Sequence, residues 1–231
     1  MPQATRDIKR RIKSVQNTRK ITKAMEMVAA AKMRKAVAKV LASRSYADLA
    51  WQTVMHLVKK VDTKHHPFFE ERKRVKRVAM ILISANRGLC GSFNTQIAEK
   101  VDKFIQDKFK DIEVDIISLG SKGRDEARRR QLNLAADFTK DDITQDSLAI
   151  RPVAHLVTKE FIAGKYDKVL VAYTDYMSAL KQVPHLKQLL PIEAGVDEML
   201  GHVEREGEQV EEIKVDNFAE FIFEPSRREL L

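Results

Sequence analysis

The single cysteine of the chain, Cys90, is the residue best suited to covalent chemistry. It lies in the stretch Gly88-Leu89-Cys90-Gly91, between an apolar run and a helical pattern that we predict to be capped by Asn94. A thiol beside a helix N-terminus can act as a nucleophile, but it needs a base, and the neighbouring sequence places none. We therefore predict a buried structural cysteine within a structural loop motif.

The loop at residues 84–94 also fails the sequence tests for nucleotide and metal sites. A phosphate-binding loop ends in Gly-Lys-Ser/Thr and a dinucleotide-binding loop carries three spaced glycines, whereas this loop holds only Gly88 and Gly91. A nucleophile elbow, G-x-S-x-G, does not occur. The adjacent His65 and His66 have no further ligand near them in sequence. The sequence therefore predicts no catalytic residue, no cofactor and no metal.

The charge of the chain is concentrated in its first quarter. The 231 residues carry a formal charge of +9, and 32% of them are charged. Residues 1–60 hold 15 Lys and Arg against three acidic residues, while the remainder is slightly acidic. No apolar run approaches the roughly 20 residues that cross a bilayer, so a membrane span is excluded.

Residues 5–58 carry a repeat of apolar and small side chains that predicts one long amphipathic helix. Neither Gly nor Pro occurs between Pro2 and Pro67, and the repeat steps mostly by 3, 4 or 7 residues. Such a helix would be a rod of roughly 80 Å, and its narrow stripe predicts a coiled coil with a partner helix. The stripe comprises Ile8, Ile12, Val15, Thr22, Met25, Ala29, Met33, Ala36, Val40, Ala47, Val54 and Leu57.

Three interpretations of this basic helix remain open from its residues alone. Its charges can simply face water, as most helix charges do. The helix can bind nucleic acid, in a homodimeric coiled coil that neutralises phosphates, although its apolar stripe runs through the basic stretch itself. It can also lie on a membrane surface or serve as a presequence, although its periodicity exceeds forty residues and no aromatic residue precedes Tyr46.

The rest of the chain predicts an open, mostly parallel α/β (Rossmann-like) sheet. Residues 78–83 form an unbroken apolar run, typical of a strand covered on both faces. A helix follows from Asn94, and strands are predicted at residues 114–119 and 168–173. The turn at residues 120–123 precedes a short basic helix, and another helix is predicted at residues 150–163. Alternating strands and helices indicate this fold class.

The C-terminal part is acidic and then carries a pattern that predicts the start of a further helix. Residues 197–216 are acidic and predict an exposed loop or hairpin, residues 218–223 are strand-like, and residues 226–229 form a capping box. We therefore divide the chain into a coiled-coil helix at residues 1–66, an α/β domain at 67–223, and the start of a C-terminal helix at 224–231.

Five segments together resemble one family, the gamma subunit of the F-type ATP synthase. The most specific is IKSVQNTRKITKAMEMVAAAKMRK at residues 12–35. The others are residues 87–91 with 93–94, 119–123, 178–191 and 223–225, in the family's order. The resemblance implies a central rotor shaft made of antiparallel N- and C-terminal helices. The sequence holds only the start of that C-terminal helix.

The resemblance also implies a set of partners and a location. The shaft would stand inside a ring of three alpha and three beta subunits, and the α/β domain would meet the epsilon subunit and the membrane c-ring. No nucleic acid is expected. Because no cleavable presequence precedes the matched start, we expect the cytoplasmic face of a bacterial plasma membrane.

The same resemblance assigns roles to particular residues. Met25 would meet an acidic loop of the beta subunit, with Lys23, Lys32, Arg34 and Lys35 as electrostatic partners. Gly88, Leu89, Cys90 and Gly91 would belong to a structural family motif. Catalytic carboxylates and the phosphate loop would belong to the partners, so this chain would be a noncatalytic cam.

Overall fold

The structure, a computed structural model, describes residues 3–60, 66–70, 72, 74–138 and 150–192. The chain divides into two units, Met1–His56 and Leu57–Leu231. The acidic stretch, the strand-like run at residues 218–223, the capping box and the proposed segment 224–231 lie outside the described residues. The predicted domain limits at residues 66 and 223 therefore stay predictions.

The N-terminal unit consists of a single helix, α1 (Gln3–Lys60), of 58 residues, whose last turn extends past the limit of that unit at His56. It confirms the helix predicted at residues 5–58 and is about 87 Å long at 1.5 Å per residue. Two of its threonine hydroxyls donate to carbonyls one turn back, from Thr18 to Ser14 at 3.0 Å and from Thr22 to Thr18 at 3.1 Å, so these hydroxyls are paired within the helix. The absence of Gly and Pro leaves no interior point where the helix would break.

The described residues of the second unit form a five-stranded sheet, with a helix between successive strands among the first four in the chain. The strands follow the order β3-β2-β1-β4-β5. Strand β1 is parallel to β2 and β4, and β2 is parallel to β3, whereas β5 is antiparallel to β4. The elements are β1 (Arg77–Ile83), α2 (Phe93–Lys108), β2 (Glu113–Leu119), α3 (Ser121–Arg129), β3 (Asn133–Phe138), α4 (Arg151–Ile162), β4 (Lys168–Tyr176) and β5 (Gln182–Leu190). A short 3-10 helix, Pro67–Phe69, precedes β1.

The open, mostly parallel α/β sheet is confirmed, with two strands that the sequence pattern did not predict. Strand β3 alternates exposed and half-buried residues, and β5 is interrupted by Pro184. Neither has the unbroken apolar run that marks β1. Both are the outer strands among those that the structure describes, and their positions follow from the strands with which they pair rather than from their own patterns.

The core lies on both faces of the sheet, which explains the unbroken apolar run of β1. Val78, Met80 and Leu82 of β1 face a cluster that includes Ile97 and Val101 of α2. The intervening Ala79 and Ile81 face a second cluster, which includes Val153, Val157 and Phe161 of α4. Because successive side chains of a strand point to opposite faces, a central strand covered on both sides must be apolar throughout.

Candidate functional site

The five predicted partner-binding residues of α1 are all exposed. They are Lys23, Met25, Lys32, Arg34 and Lys35. Lys23 forms an ion pair with Glu26 at 3.0 Å, and both side chains are about two-thirds exposed, at 64% and 66%. An ion pair this exposed is weak and is easily exchanged for another partner.

Helix geometry distributes these five residues over more than one face. Because an α-helix turns by about 100° per residue, Met25 and Lys32 lie within about 20° of each other. Lys23 and Arg34 lie together on the opposite face, and Lys35 lies about 80° from Met25. The five residues therefore surround α1 rather than forming one patch. A partner that meets Met25 directly would meet Lys32 on the same side.

A row of large apolar side chains on α1 is exposed as well. Ile8, Ile12 and Val15 are each more than half exposed, and Met33 and Val40 continue the row. Exposed apolar residues at coiled-coil spacing form the kind of surface that a partner helix covers. The helix thus presents both an apolar seam and basic side chains.

The loop that follows β1 is tied to the start of α3. The Ser84 hydroxyl donates to the Gly120 carbonyl at 3.0 Å and accepts from the Gly123 N–H at 2.7 Å. A Cβ atom at Gly123 would lie 2.7 Å from Ser84 Oγ, so this close approach requires glycine. The predicted turn at residues 120–123 is therefore mostly the first turn of α3, with only Gly120 preceding the helix.

Asn94 does not cap α2, contrary to the sequence prediction. The helix begins at Phe93 with Ser92 at the N-cap, and Asn94 lies inside its first turn. The Asn94 amide instead accepts a hydrogen bond from the Ala85 N–H at 3.0 Å and donates one to Cys90 Sγ at 3.1 Å. The Ala85 N–H, just after the end of β1, is a partner that the local sequence could not reveal.

Cys90 is exposed, so the prediction of a buried cysteine was wrong. It lies in a turn where Leu89 and Gly91 both have positive φ, of 62° and 60°. Leu89 is 94% exposed, and a Cβ atom at Gly88 would have nothing within 4 Å. The exposed Cys90 side chain belongs to neither cluster of the core. The role of these four residues as a structural family motif stays a prediction.

The surroundings of Cys90 offer no obvious base. Its sulfur lies near the Arg87 carbonyl at 3.8 Å and the Asn94 amide, and neither group takes up a proton at neutral pH. Within the described residues, no group of three or more His, Cys, Asp or Glu could hold a metal ion. Among the described helices, none combines the length and apolarity that crossing a membrane requires.

Buried Asp115, in β2, is a feature that the sequence prediction missed. Its carboxylate accepts hydrogen bonds from the Tyr166 hydroxyl at 3.0 Å and from the Asn133 amide, and Arg77 Nε lies 3.1 Å away. Burial, reinforced by Asp115, raises the pKa of Tyr166 well above its ordinary value. An acidic residue among the apolar residues of β2 was the signal, because a buried carboxylate must find partners.

Asp167, directly before β4, was missed as well. Its carboxylate accepts from Arg72 Nη1 at 2.9 Å and from the backbone N–H groups of Lys76 at 2.7 Å and Arg77 at 2.9 Å. Burial alone would raise the pKa of Asp167, but these hydrogen bonds and the Arg72 charge hold it below its ordinary value. The carboxylate is therefore ionised and tightly held at neutral pH.

Comparison with known proteins gives a consistent family. A family model described as ATP synthase matches residues 4–231. The ATP synthase gamma chain of Roseiflexus castenholzii is 35% identical over 230 residues, which cover 99% of this chain and 74% of that protein. The gamma chain of Chlorobium limicola is also 35% identical, over 96% of this chain and 72% of that protein.

A solved structure shares the fold. The match is to the central stalk and c-ring structure of the Tetrahymena thermophila mitochondrial ATP synthase, with a TM-score of 0.59 and 24% identity. It covers 74% of this chain and 72% of that chain. With the family model spanning nearly the whole sequence and relatives above 30% identity over most of their length, the chain belongs to the ATP synthase gamma chain family, the rotor subunit of that complex.

Proposed function

We propose that this rotor subunit is noncatalytic and that α1 is the part that acts on the catalytic beta subunits. The observation that carries the proposal is α1 itself, a 58-residue helix whose basic and apolar side chains are exposed. A rotor turning inside a ring needs length, stiffness and a thin cross-section. A continuous helix with an alanine-rich middle provides all three.

Met25 and Lys32 are the residues that we assign to the contact with an acidic loop of the beta subunit. They share one face of α1, so an apolar contact and a positive charge would be offered together. Lys23, Arg34 and Lys35 would serve as electrostatic partners on the other faces as the helix rotates. Exposed ion pairs contribute only about 0 to 1 kcal/mol each, which suits contacts that must be exchanged at every step.

The mechanism is a shift of populations among the catalytic subunits. An asymmetric shaft contacts three otherwise equivalent beta subunits differently, so it holds them in states of different nucleotide affinity. Rotation then permutes those states, which couples rotation to ATP synthesis or hydrolysis. The catalytic carboxylates and the phosphate loop belong to the partner subunits in this proposal.

The proposed partners are the alpha and beta subunits, the epsilon subunit and the c-ring. The α/β domain would meet epsilon and the c-ring, while α1 would enter the ring of alpha and beta subunits. The proposed location is the cytoplasmic face of a bacterial plasma membrane, through the assembled complex. Membership in the gamma chain family supports both proposals. Contacts with the beta subunits would explain the basic residues of α1, so the proposal does not require nucleic-acid binding.

A matched pair of variants tests the proposal in the assembled complex. Met25→Lys places a positive charge on the proposed contact face, and Met27→Lys places the same charge about 160° around the helix. Both methionines are exposed, at 49% and 59%. We expect Met25→Lys to change the ratio of ATP-driven proton pumping to ATP hydrolysis, measured in membrane vesicles, more than Met27→Lys does.

Two results would count against the proposal. Equal ratios in the two variants would remove Met25 from the contact. The native mass of the wild-type chain mixed with alpha and beta subunits tests the rotor role more broadly. One copy per three alpha and three beta subunits is expected, and a complex of any other composition would contradict it.

A further inference from the structure

The stretch between α1 and β1 is the covalent path that joins the rotor helix to the α/β domain. Helix α1 ends at Lys60 and β1 begins at Arg77. The structure describes residues 66–70, 72 and 74–76 of this stretch, which we call the linker. Force that travels along the chain between α1 and the sheet must cross the linker, so the way the linker is attached to the sheet matters for a rotor.

The carboxylate of Asp167 binds three residues at the end of the linker and the start of β1. Asp167 accepts hydrogen bonds from the Arg72 side chain and from the N–H groups of Lys76 and Arg77. Its own N–H donates to the Arg77 carbonyl at 2.8 Å. The bonded groups stand 90 or more residues apart in sequence from Asp167, so this attachment is entirely tertiary. Because the bonded groups are spread from Arg72 to Arg77, they constrain this stretch at more than one point, whereas a single bond would let it turn as a hinge.

Arg72 is held on its other side by the core. Its Nη2 donates to the Phe161 carbonyl at 2.9 Å, and its guanidinium lies 5.3 Å from the centre of the Phe161 ring. Phe161 belongs to α4 and is almost completely buried. The side chains of Arg72 and Asp167 are only 25% and 12% exposed, so water screens this ion pair far less than the Lys23–Glu26 pair of α1.

The sheet holds the same entry point from its opposite side. The Arg77 side chain pairs with Asp115 of the neighbouring strand β2, and Asp115 is fixed in turn by the Tyr166 hydroxyl. The first residue of β1, Arg77, therefore bonds to a carboxylate on each side. Its N–H donates to Asp167, before β4, and its side chain pairs with Asp115, within β2. These ties add to the parallel ladders that β1 forms with β2 and β4.

We propose that Arg72 and Asp167 form the stiff joint through which torque passes between the α/β domain and the linker to α1. The inference rests on the proposed rotor function and names two positioning residues for it. Neither residue would touch nucleotide. They would hold the end of the linker in place on the sheet while torque acts between the α/β domain and α1.

The test separates a stiff joint from a merely stabilising ion pair. Arg72→Gln removes the charge that joins the linker to Asp167. Arg130→Gln is the matched control, because Arg130 pairs with Asp102 at 3.2 Å and the two side chains are 24% and 23% exposed. That pair joins the residue that follows α3 to α2 and includes no linker residue.

Both variants are measured in the assembled complex with its catalytic subunits fixed to a surface. A bead is attached to the α/β domain through His155→Cys on the exposed side of α4, in a Cys90→Ser background. The readout is the angular variance of the bead while hydrolysis is stalled, together with the KM and kcat for ATP. We expect a larger variance in Arg72→Gln than in Arg130→Gln, with KM and kcat unchanged in both.

Equal variance in the two variants would overturn the inference. Absence of ATP-driven bead rotation in the wild-type complex would instead refute the rotor function itself, so the two failures are distinguishable. If Arg72→Gln does not assemble, Arg72→Lys against Arg130→Lys makes the same comparison. Lysine keeps a positive charge beside Asp167, but it has no planar fork with which to donate to the Phe161 carbonyl as well. We therefore again expect a larger variance for Arg72→Lys.

Discussion

Helix α1 and strand β1 are both rich in apolar residues, yet they use them in opposite ways. Strand β1 buries five consecutive residues, from Val78 to Leu82, between two layers of helices. The large apolar residues of α1, such as Ile21 and Val28, remain exposed. The α/β sheet thus carries its own core, whereas the apolar and basic side chains of α1 are exposed and are the ones that we propose for partner binding. The same residue types stabilise the fold in one region and are proposed to serve recognition in the other.

The largest expected effect contrasts the two regions directly. Leu82→Ala removes a fully buried side chain from β1 and should lower the free energy of unfolding by about 2 to 5 kcal/mol. Ile21→Ala on α1 should change it by no more than about 0.5 kcal/mol, because the side chain is mostly exposed. Urea unfolding, followed by the backbone signal in circular dichroism, measures the free energy of unfolding of both variants. Similar losses in the two variants would break the contrast.

A second pair sharpens the contrast within the α/β domain. Gly123→Ala would put a Cβ atom 2.7 Å from Ser84 Oγ and 3.0 Å from Ser84 Cβ, and this overpacking should cost about 1 to 3 kcal/mol. Gly88→Ala is the matched control, because a Cβ atom there meets nothing within 4 Å. Thermal unfolding of both variants provides the measurement. A Gly88→Ala variant as unstable as Gly123→Ala would contradict the predicted packing.

Acid should weaken the attachment of the linker to Asp167. The pKa of Asp167 is lowered in the folded chain, so its carboxylate contributes stability that is present above the unfolded pKa of about 3.9. That contribution is lost as the pH falls through the still lower folded pKa. Asp167→Asn should therefore cost about 1 to 3 kcal/mol at neutral pH, with the difference from wild type shrinking below about pH 4.

Urea unfolding of Asp167→Asn and of the wild-type chain at a series of pH values measures this difference. A difference between the two proteins that stays constant through the acid range would show that the charge of Asp167 is not what holds the linker.

The smallest effect is expected for the exposed ion pair of α1. Lys23→Gln removes the pairing with Glu26, and the stability of the chain should change by less than about 1 kcal/mol. The helical signal in circular dichroism, compared at low and high salt, is the measurement. A large loss of helix in Lys23→Gln would show that α1 depends on its own surface charges, contrary to the contrast with β1.

The sequence predicted the elements whose patterns are local. Helix α1 followed from a long stretch without Gly or Pro, and β1 followed from an unbroken apolar run, because helix continuity and two-sided burial both leave direct marks on composition. Strands β3 and β5 carried no such mark, since outer strands are placed by what they pair with. The candidate partner-binding residues were named through family motifs, and helix geometry then divided them between faces.

Local pattern and composition thus determined the long basic helix, the α/β class and the family motifs. Tertiary structure alone decided that Asn94 would bond to Ala85, that Cys90 would lie outside the core, and that Asp167 would grip the end of the linker. The physical reason is distance along the chain. Helix and strand patterns arise from neighbours a few residues apart, whereas the partners of a buried polar group can come from any element that the fold brings beside it.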